Sequence, residues 1–366
     1  MLPHQLLRTF CTHRLMPKSI ARIHRRPFLG AVTSLPLLSA KRAVAAISAR
    51  RTDDMKHSLI SSNGITLHVV ELGEGPAVLF CHGFPDTWRG WRRQMEAIAA
   101  EGYRAISLDM RGYGRSSAPA DPTQYTVFQT VGDLIGLLDA LDLAQVVIVG
   151  HDFGASVAWN AALMRPDRFR AVFGISIPFA PRGEKSFLQS LAEAGRTDFY
   201  MFSRIRPEAD RIWADARIMF PANLYWSSAA AAPEERWTLF DRDLPKYQTL
   251  PAPLPDWASK EDIEDAIVDF ERTGFHGPLN YYRSIQLGFD LSAPFKGKLV
   301  EPPSFFLTGA EDGLKNLSGP LTRLALRKFL PNLIDSIIVP NVAHWPQLEA
   351  ASETNEALLR FLREVS

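Results

Sequence analysis

Short, continuous apolar runs alternate with longer amphipathic segments along most of the chain. The runs cover residues 77–81, 105–108, 146–149, 171–177, 304–308 and 336–339. Continuous apolar runs of this length are typical of strands that are buried on both faces, as in a parallel sheet. Helical spacing between and after the runs predicts helices over residues 88–100, 127–141, 156–164, about 320–330 and 352–363. The alternation therefore predicts an α/β fold, a mostly parallel sheet covered by helices on both faces.

Two segments depart from this alternation. Residues 58–61 and 65–70 are rich in β-forming side chains and flank Asn63-Gly64, which predicts a hairpin near the start of the sheet. Between residues 180 and 293 the buried runs stop, and a helical segment rich in Pro, Trp, Tyr and Phe takes their place. We therefore expect a core of residues 53–179 and 294–366, with residues 180–293 inserted as a helical cap. Such a cap would exclude water from a site beneath it.

The first 52 residues differ in charge from the rest of the chain. They contain ten Lys or Arg and no Asp or Glu, whereas the remainder carries 31 basic and 40 acidic residues. An acidic body argues against nucleic acid as a partner. We interpret residues 1–52 as a basic targeting or disordered arm and exclude it from the fold.

The arm has a pattern that suggests export. Arg25-Arg26, a short apolar stretch at 31–40 and Ala43-Val44-Ala45 are similar to a twin-arginine signal with its cleavage site, which predicts a periplasmic protein. The Arg-rich, acid-free composition leaves two alternatives open, a mitochondrial transit peptide or a disordered arm on a cytoplasmic protein. The apolar stretch is too short to cross a bilayer, so no stable membrane span is expected.

The most informative stretch is Gly150-His151-Asp152-Phe153-Gly154, which joins a predicted buried strand to a predicted helix. Strand, tight Gly-rich turn and helix form the context of a G-x-S-x-G nucleophile elbow, but the middle residue here is Asp152. A carboxylate so placed can attack an electrophilic sp3 carbon and form an alkyl ester. The alternative is an ordinary Gly-rich turn with a helix-capping aspartate.

Two other predicted strands end in candidate catalytic groups. Glu311 and Asp312 follow the strand at 304–308, and His344 follows the strand at 336–339. Catalytic groups in open α/β sheets lie beyond the carboxyl ends of the strands, so we expect these side chains to meet Asp152. The order nucleophile, acid, histidine is that of the α/β-hydrolases. Either acidic residue could partner His344.

No cofactor or metal ion is expected. The chain has two cysteines, Cys11 in the arm and Cys81 in the body, so neither a disulfide nor a Cys-based metal site is predicted. Cys, His and carboxylate residues show no metal-ligand spacing, and neither a P-loop nor a G-x-G-x-x-G fingerprint occurs.

Over residues 57–366 the chain resembles the α/β-hydrolase superfamily and, within it, the epoxide hydrolases, whose Asp-nucleophile branch includes the haloalkane dehalogenases. The segments that carry this resemblance are His82-Gly83-Phe84-Pro85, Asp109-Met110-Arg111-Gly112-Tyr113-Gly114-Arg115-Ser116, Gly150-His151-Asp152 and Thr273-Gly274-Phe275-His276-Gly277-Pro278-Leu279-Asn280-Tyr281-Tyr282-Arg283. The resemblance implies the α/β-hydrolase fold, with an eight-stranded, mostly parallel sheet flanked by helices and an inserted helical cap.

The resemblance also implies roles for individual residues. Asp152 would attack the epoxide, and His344 with Asp312, preferred over Glu311, would activate water against the resulting ester. The other implied groups are the oxyanion-hole N–H groups of Phe84 and Phe153 and the epoxide-activating tyrosines Tyr200 and Tyr282. Trp88 and Tyr281 are expected to contact substrate, and a place in the core or the pocket wall is the alternative for Trp88. Tyr281 stays open as the acid in place of its neighbour Tyr282.

The expected activity is the addition of water to a small-molecule epoxide, which gives a vicinal diol through a hydroxyalkyl ester of Asp152. A haloalkane or haloacid dehalogenase is the alternative, because it shares the Asp-His-acid machinery. It would need halide donors, and Phe153 departs from the Trp often found after the nucleophile. A non-catalytic hydrolase-fold binding protein is a third hypothesis, against which the intact Asp-His-acid set argues.

Overall fold

The computed structural model describes residues 55–240, 249–250, 254–318 and 321–366. The basic arm at 1–52 lies outside the described residues, so its targeting interpretations stay predictions. Among the described residues, no helix combines the length and the apolar character needed to cross a membrane.

One sheet of eight strands forms the centre of the fold, in the order β1-β2-β4-β3-β5-β6-β7-β8. The strands are β1 (Lys56–Ser62), β2 (Ile65–Leu72), β3 (Ala77–Cys81), β4 (Arg104–Asp109), β5 (Val146–His151), β6 (Phe169–Ile175), β7 (Ser304–Gly309) and β8 (Leu333–Val339). β2 pairs antiparallel with β1 and β4, and every other pair is parallel. This arrangement confirms the predicted hairpin and the eight-stranded, mostly parallel sheet.

Helices follow most strands of the core and fill the long connection from β6 to β7. They are α1 (Arg92–Ala100), α2 (Val127–Ala140), α3 (Phe153–Met164), α4 (Phe187–Glu193), α5 (Tyr200–Arg204), α6 (Ala209–Ile212), α7 (Ala216–Trp226), α8 (Lys260–Thr273), α9 (His276–Arg283), α10 (Ile285–Leu291), α11 (Arg323–Leu326), α12 (Pro346–Glu349) and α13 (Ala351–Glu364). Short 3-10 turns lie at Trp88–Trp91, Pro122–Tyr125, Ala293–Phe295 and Gly313–Ser318.

The two faces of the sheet pack into two separate apolar clusters. In β3, Leu79 and Cys81 join the cluster that contains residues of α2 and α3, whereas Val78 and Phe80 join the cluster that contains residues of α1 and α13. Successive strand residues point to opposite faces, so a strand buried on both faces needs apolar side chains at every position. This packing explains the continuous apolar runs of the sequence.

Every described element between β6 and β7, from α4 to the turn at Ala293–Phe295, is helical, and we call this segment the helical insertion. Polar bonds hold it against loops of the core. Arg89 Nη1 donates to Asp269 Oδ2 at 2.6 Å, and Ser284 Oγ donates to the Tyr125 carbonyl at 2.9 Å. The backbone N–H of His344 donates to the carbonyl of Ser227 at 3.2 Å. The insertion therefore contacts the loop that carries a predicted catalytic residue.

Several predicted boundaries differ from the structure for local reasons. The strand predicted at 171–177 is Phe169–Ile175, because Ser176 leaves the extended conformation with φ +70°. The helix predicted at 88–100 divides into a 3-10 turn at Trp88–Trp91 and α1. The helix predicted near 320–330 is limited to α11 among the described residues.

Candidate active site

Asp152 stands on the turn between β5 and α3 in a conformation that few residues adopt. Its φ is +53° and its ψ is −119°, a region where a non-Gly residue is strained. The turn can form because two of the residues packed closely around it are glycines. A Cβ on Gly83 would overlap Asp152, and one on Gly154 would overlap the carbonyl of Cys81. These close approaches place the carboxylate beyond the end of β5, as the elbow motif predicts.

Two backbone N–H groups bind the Asp152 carboxylate. The Phe84 N–H donates to Asp152 Oδ1 at 2.9 Å, and the Phe153 N–H also donates to this carboxylate. Burial raises the pKa of Asp152, although His344, the two N–H groups and Arg204 act in the opposite direction. Both groups predicted for an oxyanion hole therefore already contact the carboxylate of the aspartate.

His344 follows β8 and lies between two carboxylates. Its Nε2 is 3.8 Å from Asp152 Oδ2, and its Nδ1 is 3.4 Å from Asp312 Oδ2. Burial lowers the pKa of His344, but Asp312 and Asp152 outweigh it, so the pKa lies above the usual value. Glu311 instead pairs with Arg236 at 3.0 Å on the surface. Of the two acidic candidates, Asp312 is therefore the one that contacts the imidazole.

Asp312 is buried after β7 and is surrounded by hydrogen-bond donors. Its Oδ1 accepts from the Leu314 N–H at 2.9 Å, and its Oδ2 accepts from the hydroxyl groups of Ser176 at 2.5 Å and Thr308 at 3.4 Å. Burial favours a higher pKa for Asp312, but His344 and these donors outweigh it, so the pKa lies below its usual value. Asp312 is therefore held as a carboxylate beside the histidine.

Ser176 is a member of this group that the sequence analysis did not identify. Its hydroxyl oxygen lies 3.1 Å from His344 Nδ1, closer than the 3.4 Å between that nitrogen and Asp312 Oδ2. Ser176 follows β6, which lies between β5 and β7 in the sheet. The signal that could have found it is its place at a strand end between the strands of Asp152 and Asp312.

A small cavity of about 20 Å³ lies over the carboxylate. It is bordered by Phe84, Asp152, Tyr200, Arg204, Asn223, Ser227, Trp237, Leu314 and His344. Core and insertion both contribute to its wall. Among the described residues, the Tyr200 hydroxyl makes no hydrogen bond to another residue, and burial raises the pKa of Tyr200 well above its usual value. Tyr200 therefore stays protonated and can donate to a bound molecule.

Tyr282 and Tyr281 lie side by side on α9 but face different surroundings. The Tyr282 ring packs edge-on against Phe84 and Phe153, with centroid distances of 5.2 and 4.7 Å. Its hydroxyl accepts a hydrogen bond from Arg204, and burial raises its pKa. Tyr281 Oη donates to the backbone carbonyl of residue 111 at 3.1 Å, away from Asp152. Tyr282 is thus the better-placed donor of the pair, although Arg204, rather than Tyr282, borders the cavity.

Two expected substrate contacts lie elsewhere. Trp88 is buried in the apolar cluster that contains residues of α1 and α13, beneath the guanidinium of Arg92 at 5.1 Å. Trp88 begins the 3-10 turn at Trp88–Trp91, and its indole packs on the side of the sheet covered by α1 and α13. It therefore does not border the cavity. Tyr281 borders a separate groove that Phe153 also lines. Neither side chain borders the cavity over Asp152, and their role as substrate contacts stays a prediction.

The described residues contain no cluster of three or more His, Cys, Asp or Glu side chains that could hold a metal ion. The side chains at the site offer a carboxylate, an imidazole, phenols and a guanidinium.

Comparison with known proteins agrees with this geometry. Residues 76–351 match the model of the family described as alpha/beta hydrolase fold. An epoxide hydrolase of Caballeronia sordidicola is 57% identical over 315 residues, which cover 86% of this chain and 95% of that protein. Epoxide hydrolase 3 of Siraitia grosvenorii is 36% identical over 85% of this chain and 99% of its own length.

Solved structures give the same result. A laboratory-evolved variant of potato epoxide hydrolase superimposes with a TM-score of 0.77 and 31% identity, over 85% of this chain and 99% of its own. An epoxide hydrolase of Vigna radiata superimposes with a TM-score of 0.76 and 33% identity over the same shares. The chain therefore belongs to the α/β-hydrolase superfamily and, within it, to the epoxide hydrolase family.

Proposed function

We propose that this protein is an epoxide hydrolase that adds water to a small-molecule epoxide and releases a vicinal diol. The observation that carries the proposal is the position of Asp152 on the elbow, where its carboxylate shares one small cavity with His344 and Tyr200. An aspartate cannot replace a serine in ester hydrolysis, but it can attack an sp3 carbon. The family membership of the chain supports the same reaction.

In the first step Asp152 attacks an epoxide carbon. Asp152 Oδ1 is held by the Phe84 N–H, whereas Oδ2 faces His344 at 3.8 Å, so Oδ2 is the nucleophile of this proposal. A new C–O bond forms, the ring C–O bond breaks, and the electron pair goes to the ring oxygen. That oxygen needs a proton in the transition state. Tyr282 donates that proton and Tyr200 donates a hydrogen bond to the same oxygen, because burial raises the pKa of both and keeps them protonated at neutral pH.

In the second step water hydrolyses the ester. His344 Nε2 takes a proton from water, which attacks the carboxyl carbon of the former Asp152 carboxylate. Charge then develops on Oδ1, which the Phe84 N–H already contacts, and the Phe153 N–H donates to the same carboxyl group. Collapse of this charge breaks the bond between the carboxyl carbon and Oδ2, and the diol leaves with a proton that His344 returns. Asp312 and Ser176 hold the Nδ1 side of the imidazole and stabilise its positive charge.

The helical insertion acts as the cap of this site. It supplies Tyr200, Arg204 and Tyr282, while the core supplies Asp152 and His344. Closing the cavity with the insertion excludes bulk water, which strengthens the electrostatic contacts inside. The predicted division into a core and a cap at residues 180–293 is part of this proposal.

The reaction is tested by incubating the full chain with aryl and alkyl epoxides and, in parallel, with matched haloalkanes. Diol without halide release supports the proposal, and halide release without diol moves the assignment to the dehalogenases. The absence of both products contradicts both assignments. His344→Gln should accumulate an ester on Asp152. Mass spectrometry should then show a gain equal to the whole epoxide, because opening the ring expels no group.

The control for this experiment is Asp152→Asn, which removes the nucleophile and keeps its shape. Asparagine tolerates positive φ, so the turn should fold as before. No adduct and no diol are expected, and the melting temperature should be at least that of the native protein, because burial disfavours the Asp152 charge. Diol formation by Asp152→Asn at the native rate would refute the covalent mechanism.

A further inference from the structure

Arg204 lies on α5, one helical turn after Tyr200, in a cage of aromatic rings. Its guanidinium carbon is 4.7 Å from the ring centroid of Phe84, 4.6 Å from Tyr200, 5.1 Å from Trp213 and 5.0 Å from Tyr282. A guanidinium near the faces of aromatic rings is stabilised by their quadrupoles. These four contacts fix the position of a positive charge inside the cavity wall.

The polar contact of this guanidinium is a phenol. Arg204 Nη1 donates to Tyr282 Oη, and no carboxylate of the described residues lies within ion-pair distance of it. Arg204 and Asp152 border the same cavity, but Asp152 pairs with His344. A positive charge is therefore held next to the oxygen of the proposed acid rather than next to the nucleophile.

The proposed reaction moves negative charge towards this guanidinium. Before attack, the charge is on the Asp152 carboxylate and Tyr282 is neutral. As the ester forms, the ring oxygen takes the phenol proton, Asp152 becomes a neutral ester and Tyr282 becomes a phenolate. A group that contacts the Tyr282 oxygen therefore interacts more strongly with the transition state than with the ground state, which is the requirement for acceleration.

We propose that Arg204 is a positioning residue that acts through Tyr282, an inference that rests on the proposed epoxide chemistry. Arg204 occupies a lone pair of the phenol oxygen, so the phenol proton is free for the ring oxygen. When that proton leaves, the contact becomes a charge-assisted hydrogen bond between guanidinium and phenolate. Tyr282 is buried, so its oxygen is shielded from bulk water, which increases the strength of the interaction.

A double-mutant cycle in the full chain tests the coupling. The rate of ester formation is measured in single turnovers at saturating epoxide for Arg204→Met, Tyr282→Phe and the double variant. Methionine keeps an apolar stem for the ring cage and removes the charge. Arg204→Met should slow ester formation roughly 10- to 100-fold, the value of a charged hydrogen bond. In the Tyr282→Phe background the same change should cost less than about twofold.

Two further variants separate charge from packing. Arg204→Lys keeps a cation that can donate to the phenol oxygen, so it should recover much of the rate lost in Arg204→Met. Arg206→Met removes a neighbouring arginine whose side chain is exposed, and it should leave the rate unchanged. Thermal unfolding of each variant shows whether the fold is intact.

Three results would overturn the inference while leaving the proposed function in place. A loss in Arg204→Met that persists in the Tyr282→Phe background would mean that Arg204 acts on the substrate directly. Weaker epoxide binding with an unchanged saturated rate would assign it to substrate binding. Equal losses in Arg204→Lys and Arg204→Met would mean that the Arg204 side chain acts through its packing and not through its charge. A native enzyme that opens no epoxide would refute the proposed function and the inference together.

Discussion

Replacing Ser176 with alanine should slow hydrolysis of the ester and leave its formation nearly unchanged. The Ser176 hydroxyl donates to Asp312 Oδ2 at 2.5 Å and lies 3.1 Å from His344 Nδ1, whereas the direct Asp312–His344 contact is 3.4 Å. The hydroxyl thus connects the carboxylate to the imidazole on the side away from Asp152. It should affect the step in which His344 becomes positively charged, and that step is ester hydrolysis.

The magnitude follows from the contact that is removed. A hydrogen bond to a buried charged group contributes about 1.5–3 kcal/mol, and about 1.4 kcal/mol corresponds to a tenfold change in rate. Ester hydrolysis should therefore slow by roughly 10- to 100-fold, because the direct Asp312–His344 contact remains. Ser176 also contributes to the lowered pKa of Asp312. A carboxyl group whose pKa is lowered by folding stabilises the fold at any pH above its pKa in the unfolded chain. Ser176→Ala should therefore also lower the melting temperature at pH 7.

The assay measures both steps in single turnovers, with the ester quantified by mass spectrometry. Thr308→Val is the matched control, because it removes the other hydroxyl that touches Asp312, at 3.4 Å, and no contact joins Thr308 to His344 among the described residues. Ester should accumulate in Ser176→Ala and hardly at all in Thr308→Val. Equal rates of hydrolysis in the native protein and Ser176→Ala, or a larger defect in Thr308→Val, would refute the proposed role of Ser176 between Asp312 and His344.

Two further predictions concern pH and packing. Ester hydrolysis needs neutral His344, whose pKa is raised by Asp312 and Asp152, so activity should rise with pH through an inflection above the ordinary histidine value. Forming the ester removes the Asp152 charge, so the inflection in kcat should lie at lower pH than the pKa of His344 in the free protein, followed by NMR titration, and Asp312→Asn should lower both. Coincident values would contradict the assignment. Gly83→Ala should abolish ester formation, because the new methyl overlaps Asp152. Gly288→Ala, whose methyl would meet its nearest atom at 3.9 Å inside α10, should retain activity and gain up to about 1 kcal/mol of stability.

The sequence predicted the strands well where burial leaves a clear pattern. β3 and β5 are apolar at almost every position because both of their faces are covered, and such runs need no knowledge of the rest of the fold. The order of the strands was not in the pattern, because β4 enters between β2 and β3 through contacts far apart in the chain. The resemblance to a known family supplied the number of strands, and their order comes from the structure.

The same distinction applies to the site. Asp152 and His344 follow strand ends, and strand ends are visible in sequence. Ser176 was counted inside a strand, because nothing local shows that its backbone turns to φ +70°. Arg204 lies four residues after Tyr200 on a short helix, and only the packing of α5 against α9 brings it to Tyr282. Residues whose role depends on a distant segment were therefore the ones that sequence reasoning missed.

Ser227, just after α7, links the helical insertion mechanically to the catalytic base. Its carbonyl accepts from the His344 N–H at 3.2 Å, and its hydroxyl accepts from Trp345 Nε1 at 2.8 Å. The Ala229 N–H donates to Glu349 Oε2 at 2.7 Å, at the end of α12, the helix that follows His344. A displacement of α7 would either break these hydrogen bonds or also displace the loop that carries His344. The alignment of the imidazole therefore depends on the insertion keeping its contacts with this loop.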